Sequence, residues 1–397
     1  MFKNINCKNL PSLRRNIVYQ FLYELLIVFI PLFTIPYVSR VLGAENIGLF
    51  SYTYAVANYF VLFANLGIKN YGSRTIAMVR NNKEELNRNF SEILSIFVYL
   101  VLLFFFVEDN LVIFLIQSIY VFAAVFDINW FFFGIEKFKL TVGRNTLVKI
   151  LSVFLVLVFV KTQTDLWIYA LILALSVFVG QSVVWFALKQ YVSWRRPSWA
   201  NMKQHIRPLF VLFLPILALS LYKYMDKIML GSISSNVQVG FYENAEKIIS
   251  VPMSLIMAFG VVLMPRIANM VTSKDKGEVF KLIDMSMEAV MLLAIAISFG
   301  LAGISFVLAP IFFGYEFEEC GILIMGLAVT VPFMAFANVI RTQYLIPYKE
   351  DKIFVVSLFL GAAVNLIVNI ILIPYMAARG AVIGTIFAEI IVCIYQS

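Results

Sequence analysis

The chain is poorly equipped for covalent or acid–base chemistry. It has one histidine, His205, and three cysteines, Cys7, Cys320 and Cys393, with no CxxC pair and no partner at metal-ligand spacing. Neither a zinc site nor a disulfide framework is supported. There is no Asp-x-Asp pair and no glycine loop that would cradle a phosphate, so no catalysis, cofactor or metal is expected. The ionisable residues of interest lie instead inside apolar runs: Glu24, Asp127, Lys223, Asp226, Glu288, Arg341 and Glu389. An ionisable group at mid-helix in a bilayer costs about 2.5–3.5 kcal/mol on insertion scales, so one kept there faces a wet cavity or a partner. Lys223 and Asp226 share a helix face. They suit a mutual ion pair, or an arrangement in which Lys223 holds an anionic head group while Asp226 directs it. Arg40, Arg74 and Arg266 end helices, where snorkelling to the interface competes with a binding role. His205 falls in a long basic connection and reads as a solvated residue.

The elements that must hold these residues are membrane spans. Of 397 residues 62% are hydrophobic and only 14% charged, well below the roughly 25% charged typical of soluble chains; the mean hydropathy is +0.90. Twelve stretches approach the ~20 apolar residues that cross a bilayer: 16–38, 48–68, 90–107, 111–133, 146–160, 166–188, 208–230, 247–265, 286–309, 320–343, 353–373 and 381–396. The first is too long for a cleaved signal peptide, and the last is short for a crossing. The expected fold class is an all-α polytopic membrane protein with about twelve transmembrane helices.

Lys and Arg alternate between the connections. One side receives Lys3, Lys8, Arg14 and Arg15; Arg74, Arg80, Lys83 and Arg88; Lys137, Lys139 and Arg144; Lys189, Arg195, Arg196, Lys203 and Arg207; Arg266, Lys274, Lys276 and Lys281; and Lys349 and Lys352. The other holds Arg40, Glu108-Asp109, Lys161, Lys227, Glu316, Glu318, Glu319 and Arg379. The positive-inside rule places both termini in the cytoplasm. Because the cations are scattered in short loops, the net charge of +8 does not point to nucleic acid.

An internal repeat organises the spans. Val41-Leu42-Gly43 through Ile47-Gly48-Leu49-Phe50 follows the first span as Met229-Leu230-Gly231, then Val239-Gly240-Phe241-Tyr242, follows the seventh; Gly48 to Arg74 spans the same distance as Gly240 to Arg266. Six spans plus six, both starting from the cytoplasm, form a parallel repeat about a pseudo-two-fold axis along the membrane normal. This predicts an N-terminal six-helix bundle over 1–188, a basic cytoplasmic linker over 189–207 and a C-terminal six-helix bundle over 208–397. A central cavity would lie between them, opened to each side in turn by rocking. Pro31, Pro36, Pro215, Pro252 and Pro332 would kink their helices.

Three blocks carry a family resemblance. The first runs from Asn16 through Pro36-Tyr37-Val38-Ser39-Arg40-Val41-Leu42-Gly43 and Leu66-Gly67-Ile68 to Tyr71-Gly72-Ser73-Arg74. The others are Asp127-Ile128-Asn129-Trp130-Phe131-Phe132-Phe133-Gly134-Ile135-Glu136-Lys137-Phe138-Lys139 and Tyr224-Met225-Asp226-Lys227-Ile228-Met229-Leu230-Gly231. Together they resemble the Wzx-type O-antigen and capsular polysaccharide flippases of the multidrug/oligosaccharidyl-lipid/polysaccharide exporter superfamily, over most of the chain and most strongly over the first 145 residues. The resemblance implies two six-helix bundles around a cationic cavity. The implied substrate is undecaprenyl pyrophosphate carrying a short oligosaccharide, moved across the bacterial inner membrane by alternating access. It further implies membrane lipids, a polysaccharide polymerase and a chain-length regulator as partners. Lys223, Arg341, Asp127, Asp226, Glu24, Arg40, Arg74 and Arg266 are the cavity candidates, with Tyr52, Tyr59 and Tyr222 available to pack against sugars. A cation-coupled multidrug exporter of the same fold is the alternative. A membrane polymerase or ligase fits less well, because such enzymes present a large outer loop with catalytic Arg or His.

Overall fold

The computed structural model describes residues 13–103, 112–272 and 276–397. The side chains of Glu24 and Tyr222, the Glu108-Asp109 connection, the end of the 90–107 stretch, Cys7, Lys3, Lys8, Lys274 and the side chain of Lys276 lie outside the described residues. Among those described, every regular element is helical. Lipid offers no partner to a free N–H or C=O, so each span must satisfy its backbone internally. In chain order the helices are α1 (Leu13–Asn65), α2 (Ile68–Val79), α3 (Lys83–Leu103), α4 (Val112–Val125), α5 (Asn129–Gly134), α6 (Phe138–Phe159), α7 (Leu166–Leu188), α8 (Trp199–Ile233), α9 (Asn236–Thr272), α10 (Lys276–Phe313), α11 (Cys320–Ala328), α12 (Thr330–Val339), α13 (Ile346–Tyr348), α14 (Asp351–Met376) and α15 (Ala378–Gln396). A π-helical turn, Ile340–Leu345, joins α12 to α13. Among the described residues nine stretches are long and apolar enough to cross a membrane, and the C-terminal one, Ala378–Gln396, is included. The protein is an all-α, multi-pass membrane protein.

The chain forms two compact units: Met1–Thr34 with Phe60–Val160 and Trp167–Leu212, and Ile35–Tyr59 with Lys161–Leu166 and Phe213–Ser397. In the first unit, the sequence blocks around Gly72 and Trp130 pack on each other. A Cβ on Gly72 would stand 2.5 Å from the Trp130 ring, and one on Gly134 2.7 Å from Ile76. The Ser73 hydroxyl donates to the Trp130 carbonyl at 2.9 Å. Trp130 also stacks on Phe90 of α3, with ring centroids 5.6 Å apart. The basic 189–197 connection is pinned to α3, because the backbone N–H of Ser193 donates to Asn87 and that of Arg195 to Ser91. Arg195 also pairs with Glu84 at 2.8 Å. That hydrogen bond, and then its charge, hold the exposed Glu84 carboxyl below its usual value. The pair therefore supports the fold above the ordinary carboxylate range and loses that support as pH falls through the lowered value.

In the second unit, helix α1 breaks at Gly43, whose φ of 76° is left-handed. The break frees the N–H groups of the next turn, and the Ala44 N–H donates to Glu316 Oε1 at 2.9 Å. Beyond the break, the repeat glycines meet. A Cβ on Gly48 would stand 1.6 Å from the Asn236 carbonyl oxygen, and one on Gly240 2.1 Å from that of Ala44. Helices in lipid gain little from hydrophobic transfer on associating, so small residues that let backbones touch supply the contact. Gly231 likewise lies under the Tyr52 ring.

Gly48→Val and Gly240→Val each force backbones apart and should abolish monodisperse protein on size-exclusion chromatography in detergent. Gly300→Ala and Gly303→Ala, where an added Cβ meets nothing within 4 Å, should leave it intact and raise helix stability by about 0.5–1 kcal/mol.

Candidate functional site

The first unit carries a cleft of about 710 Å³ between the end of α2, the start of α3 and the start of α8. Three exposed guanidiniums border it, Arg74 from α2, Arg88 from α3 and Arg207 from α8, and Gln204 and Asn89 add polar groups. Glu85 is the single carboxylate of the lining; Met78, Val79, Val211 and Leu212 form an apolar wall. Among the described residues none of the three arginines is held in an ion pair. Beneath the cleft His205 is buried, 3% exposed, with Nε2 3.0 Å from Glu92 Oε2 and Nδ1 hydrogen-bonded to the Tyr71 hydroxyl. One side chain thus ties α8 to both α2 and α3. His205 is therefore not the solvated loop residue expected from the sequence. Helix α8 begins at Trp199, a few residues before it, and its inward face carries the ring into the unit.

A second cluster of the same unit surrounds Asp127. Its carboxylate pairs with Lys69 at 3.1 Å and accepts from the Asn129 side chain at 2.7 Å. Asn129 also donates to Gln181 at 3.0 Å and accepts from Arg144 at 2.9 Å, and Arg144 reaches the Gly180 carbonyl at 2.8 Å. The network joins α2, α5, α6 and α7.

In the second unit Asp226 and Lys227, neighbours on α8, enter different networks. Asp226 accepts from the Tyr242 hydroxyl at 2.6 Å and from the Asn369 amide at 2.5 Å, and the Thr385 hydroxyl lies 3.1 Å away. Asn369 also donates to Asn365. These partners come from α9, α14 and α15. Lys227 is buried between Glu243 at 2.5 Å and Glu246 at 2.8 Å, and Lys247 closes on Glu243 at 3.0 Å. The alternation of basic loops predicts an outer connection for Lys227. It stands within α8 because that helix runs on to Ile233, and the two glutamates one turn apart on α9 neutralise it. Tyr242 is legible in the sequence only as part of the second repeat block, and Glu243 and Glu246 only by their i, i+3 spacing after its glycine.

Within each unit the candidate residues occupy separate surroundings, and the side chain of Glu24 lies outside the described residues. Arg74 lines the arginine cleft; Asp127 and Asp226 are buried in the networks above. Lys223 does not pair with Asp226 and is exposed, its ammonium 5.5 Å from the Tyr224 ring centroid. Arg341 sits on the π-turn, donating to Asn338 at 2.7 Å and lying 5.7 Å from the Phe354 ring centroid. Arg40 is exposed and donates to the Ile311 carbonyl, and Arg266 is exposed on α9. Tyr59 donates weakly to the Ser220 carbonyl at 3.4 Å, and Tyr52 covers Gly231. Among the described residues no group of three or more His, Cys, Asp or Glu is placed to hold a metal ion.

This arrangement of helices and sequence blocks has relatives. The model of a family described as "Polysaccharide biosynthesis protein" matches residues 13–271. The chain belongs to that family. A Shigella dysenteriae protein named "Putative O-antigen transporter" is 23% identical over 97% of this chain and 99% of its own length. Among solved structures, a lipid II flippase MurJ in an inward closed conformation superposes with a TM-score of 0.75, at 15% identity over 96% of this chain and 86% of that one. An inward-facing multidrug resistance MATE transporter of the MOP superfamily gives 0.69, at 13% identity over 94% and 95%. The fold is thus the one these membrane transporters share.

Lys227→Met takes the buried cation from Glu243, which keeps Lys247, and from the part-exposed Glu246, and should lower thermal stability measured in detergent. Neutralising both acids together with Lys227 should recover much of that loss.

Proposed function

We propose that this protein is a flippase for a lipid-linked oligosaccharide, not an enzyme. Its substrate is an undecaprenyl-pyrophosphate-linked O-antigen or capsule repeat unit, moved by alternating access across the bacterial inner membrane with the N-terminus cytoplasmic. The observation that carries the reading is the family match over 13–271 together with end-to-end alignment to a relative named for O-antigen transport. Physical chemistry supports it: a diphosphate and sugars cost several kcal/mol per polar group to bring through hydrocarbon, whereas a polyprenyl tail stays in lipid. The protein therefore has only to shelter the head. Guanidinium and ammonium groups do this by charge-assisted hydrogen bonds, and Lys223, Arg341, Arg40, Arg74 and Arg266 are the cations proposed for it, with Asp127, Asp226 and Glu24 organising them. The working halves in this reading are 1–188 and 208–397, joined by 189–207. A cation-coupled multidrug exporter is the second reading, favoured by the buried acidic networks around Asp226 and Glu243 and by the MATE likeness.

Reconstitution in liposomes with a fluorescent polyprenyl-diphosphate sugar, followed by quenching from outside, should show exchange between leaflets. Lys223→Glu with Arg341→Glu should slow it at least about tenfold, as expected when charge-assisted contacts to the head are lost. Unaltered exchange removes both residues from the binding role, while absence of exchange alongside export of a cationic dye favours the second reading.

A further inference from the structure

Arg74, one of the cations proposed for the head group, shares the cleft of the first unit with Arg88 and Arg207, which that reading does not use. Arg74, Arg88 and Arg207 come from three different helices, are exposed, and border one space with a single carboxylate, Glu85, among its lining residues. Among the described residues no ion pair consumes these cations, so three guanidiniums from three elements share one concavity with one carboxylate, which leaves it with net positive charge. A guanidinium matches the oxygens of a phosphate in a planar, bidentate way that few other anions repay as well. At about 710 Å³ the space is within the range of small-molecule sites, roughly 300–1,000 Å³.

Two further observations narrow the ligand. Part of the lining is apolar, and Met78 and Val211 are 68% and 60% exposed there. A soluble anion gains nothing from such a wall, whereas a phosphate carried on a hydrocarbon chain covers it. The helices of the lining are also tied to one another. His205, buried with both ring nitrogens partnered by Tyr71 and Glu92, fixes the starts of α8 and α3 against α2, so the three arginine-bearing segments are held at a set spacing before any ligand arrives. Such preorganisation lowers the entropy cost of binding.

We propose that this cleft binds the phosphate of a membrane-anchored lipid, with Arg74, Arg88 and Arg207 on the phosphate and Met78 and Val211 against its chain. The chemistry is common to a glycerophospholipid head and a polyprenyl diphosphate, and the test separates them. Full-length protein, delipidated in detergent, is offered phosphatidylglycerol, phosphatidylcholine, undecaprenyl diphosphate or sodium pyrophosphate, and bound adducts are counted by native mass spectrometry. The wild type retains phosphatidylglycerol or undecaprenyl diphosphate in preference to phosphatidylcholine, and the one that displaces the other identifies the source. R74Q/R88Q/R207Q lowers retention at least about tenfold, and R207E alone lowers it as well. A variant that removes three exposed lysines elsewhere, K281Q/K349Q/K352Q, retains lipid as the wild type does.

Equal retention by the triple arginine variant overturns the proposal. So does an equal loss in the triple lysine variant, which would mean that net charge and not the cleft attracts the lipid. Pyrophosphate binding as tightly as either lipid also overturns it, because the apolar wall would then contribute nothing. Retention is read without transport, so its failure removes Arg74 from the head-group role and leaves the flippase reading to the other cations, while failure of transport does not bear on the cleft.

Discussion

A charge inside a bilayer has no water to return to, and this constraint organises the molecule more than any other. Each buried ion must find its counter-charge or hydrogen-bond partners on another helix, so each becomes a tie between helices. Lys227 draws Glu243 and Glu246 of α9 against α8, and Asp226, one residue earlier, draws in α9, α14 and α15 through Tyr242, Asn369 and Thr385. In the first unit Asp127 and Asn129 do the same for α2, α5, α6 and α7. The apolar surface of these helices is nearly interchangeable, since lipid tails and leucines solvate one another equally well. Polar ties therefore specify which helices meet more sharply than apolar contact can.

Close backbone approach supplies the complementary constraint. Gly48 and Gly240 admit each other's helices to a distance that no side chain permits, and the left-handed turn at Gly43 sets the course of the segment carrying Gly48. Glu316, from the connection after α10, accepts the N–H freed by that turn. A residue that sequence inspection places simply in an acidic outer loop thus repairs a helix terminus distant in the chain, as a capping side chain does at an ordinary helix start.

The ionisable groups fall into two kinds with different capacities. Asp127, Asp226 and Lys227 are themselves buried and held by partners on other helices, so they hold structure and respond to a ligand only if those contacts are exchanged. Arg74, Arg88 and Arg207 are exposed, border a cleft and, among the described residues, are held in no ion pair, which leaves their donors available to an anion. A transporter of lipid-linked sugars needs both kinds: rigid polar ties to hold helices together in each state, and unspent cations where a phosphate must be received.

Composition, span length and the alternation of basic loops were enough to establish a multi-pass helical membrane protein, because the cost of exposing polar backbone and charge to lipid is local and readable residue by residue. The repeat glycines and the blocks around Gly72, Trp130 and Asp226 were also legible, since a position that excludes a side chain leaves a mark in the sequence. Partner choice was not legible. Lys223 and Asp226 share a face, yet Asp226 turns to residues as far away in the chain as Thr385 while Lys223 lies over Tyr224. His205 looked solvated until helix α8 was seen to begin before it and Glu92 to wait beneath. Which neighbour satisfies a buried charge depends on helices distant in the chain, and only the tertiary structure brings those helices together.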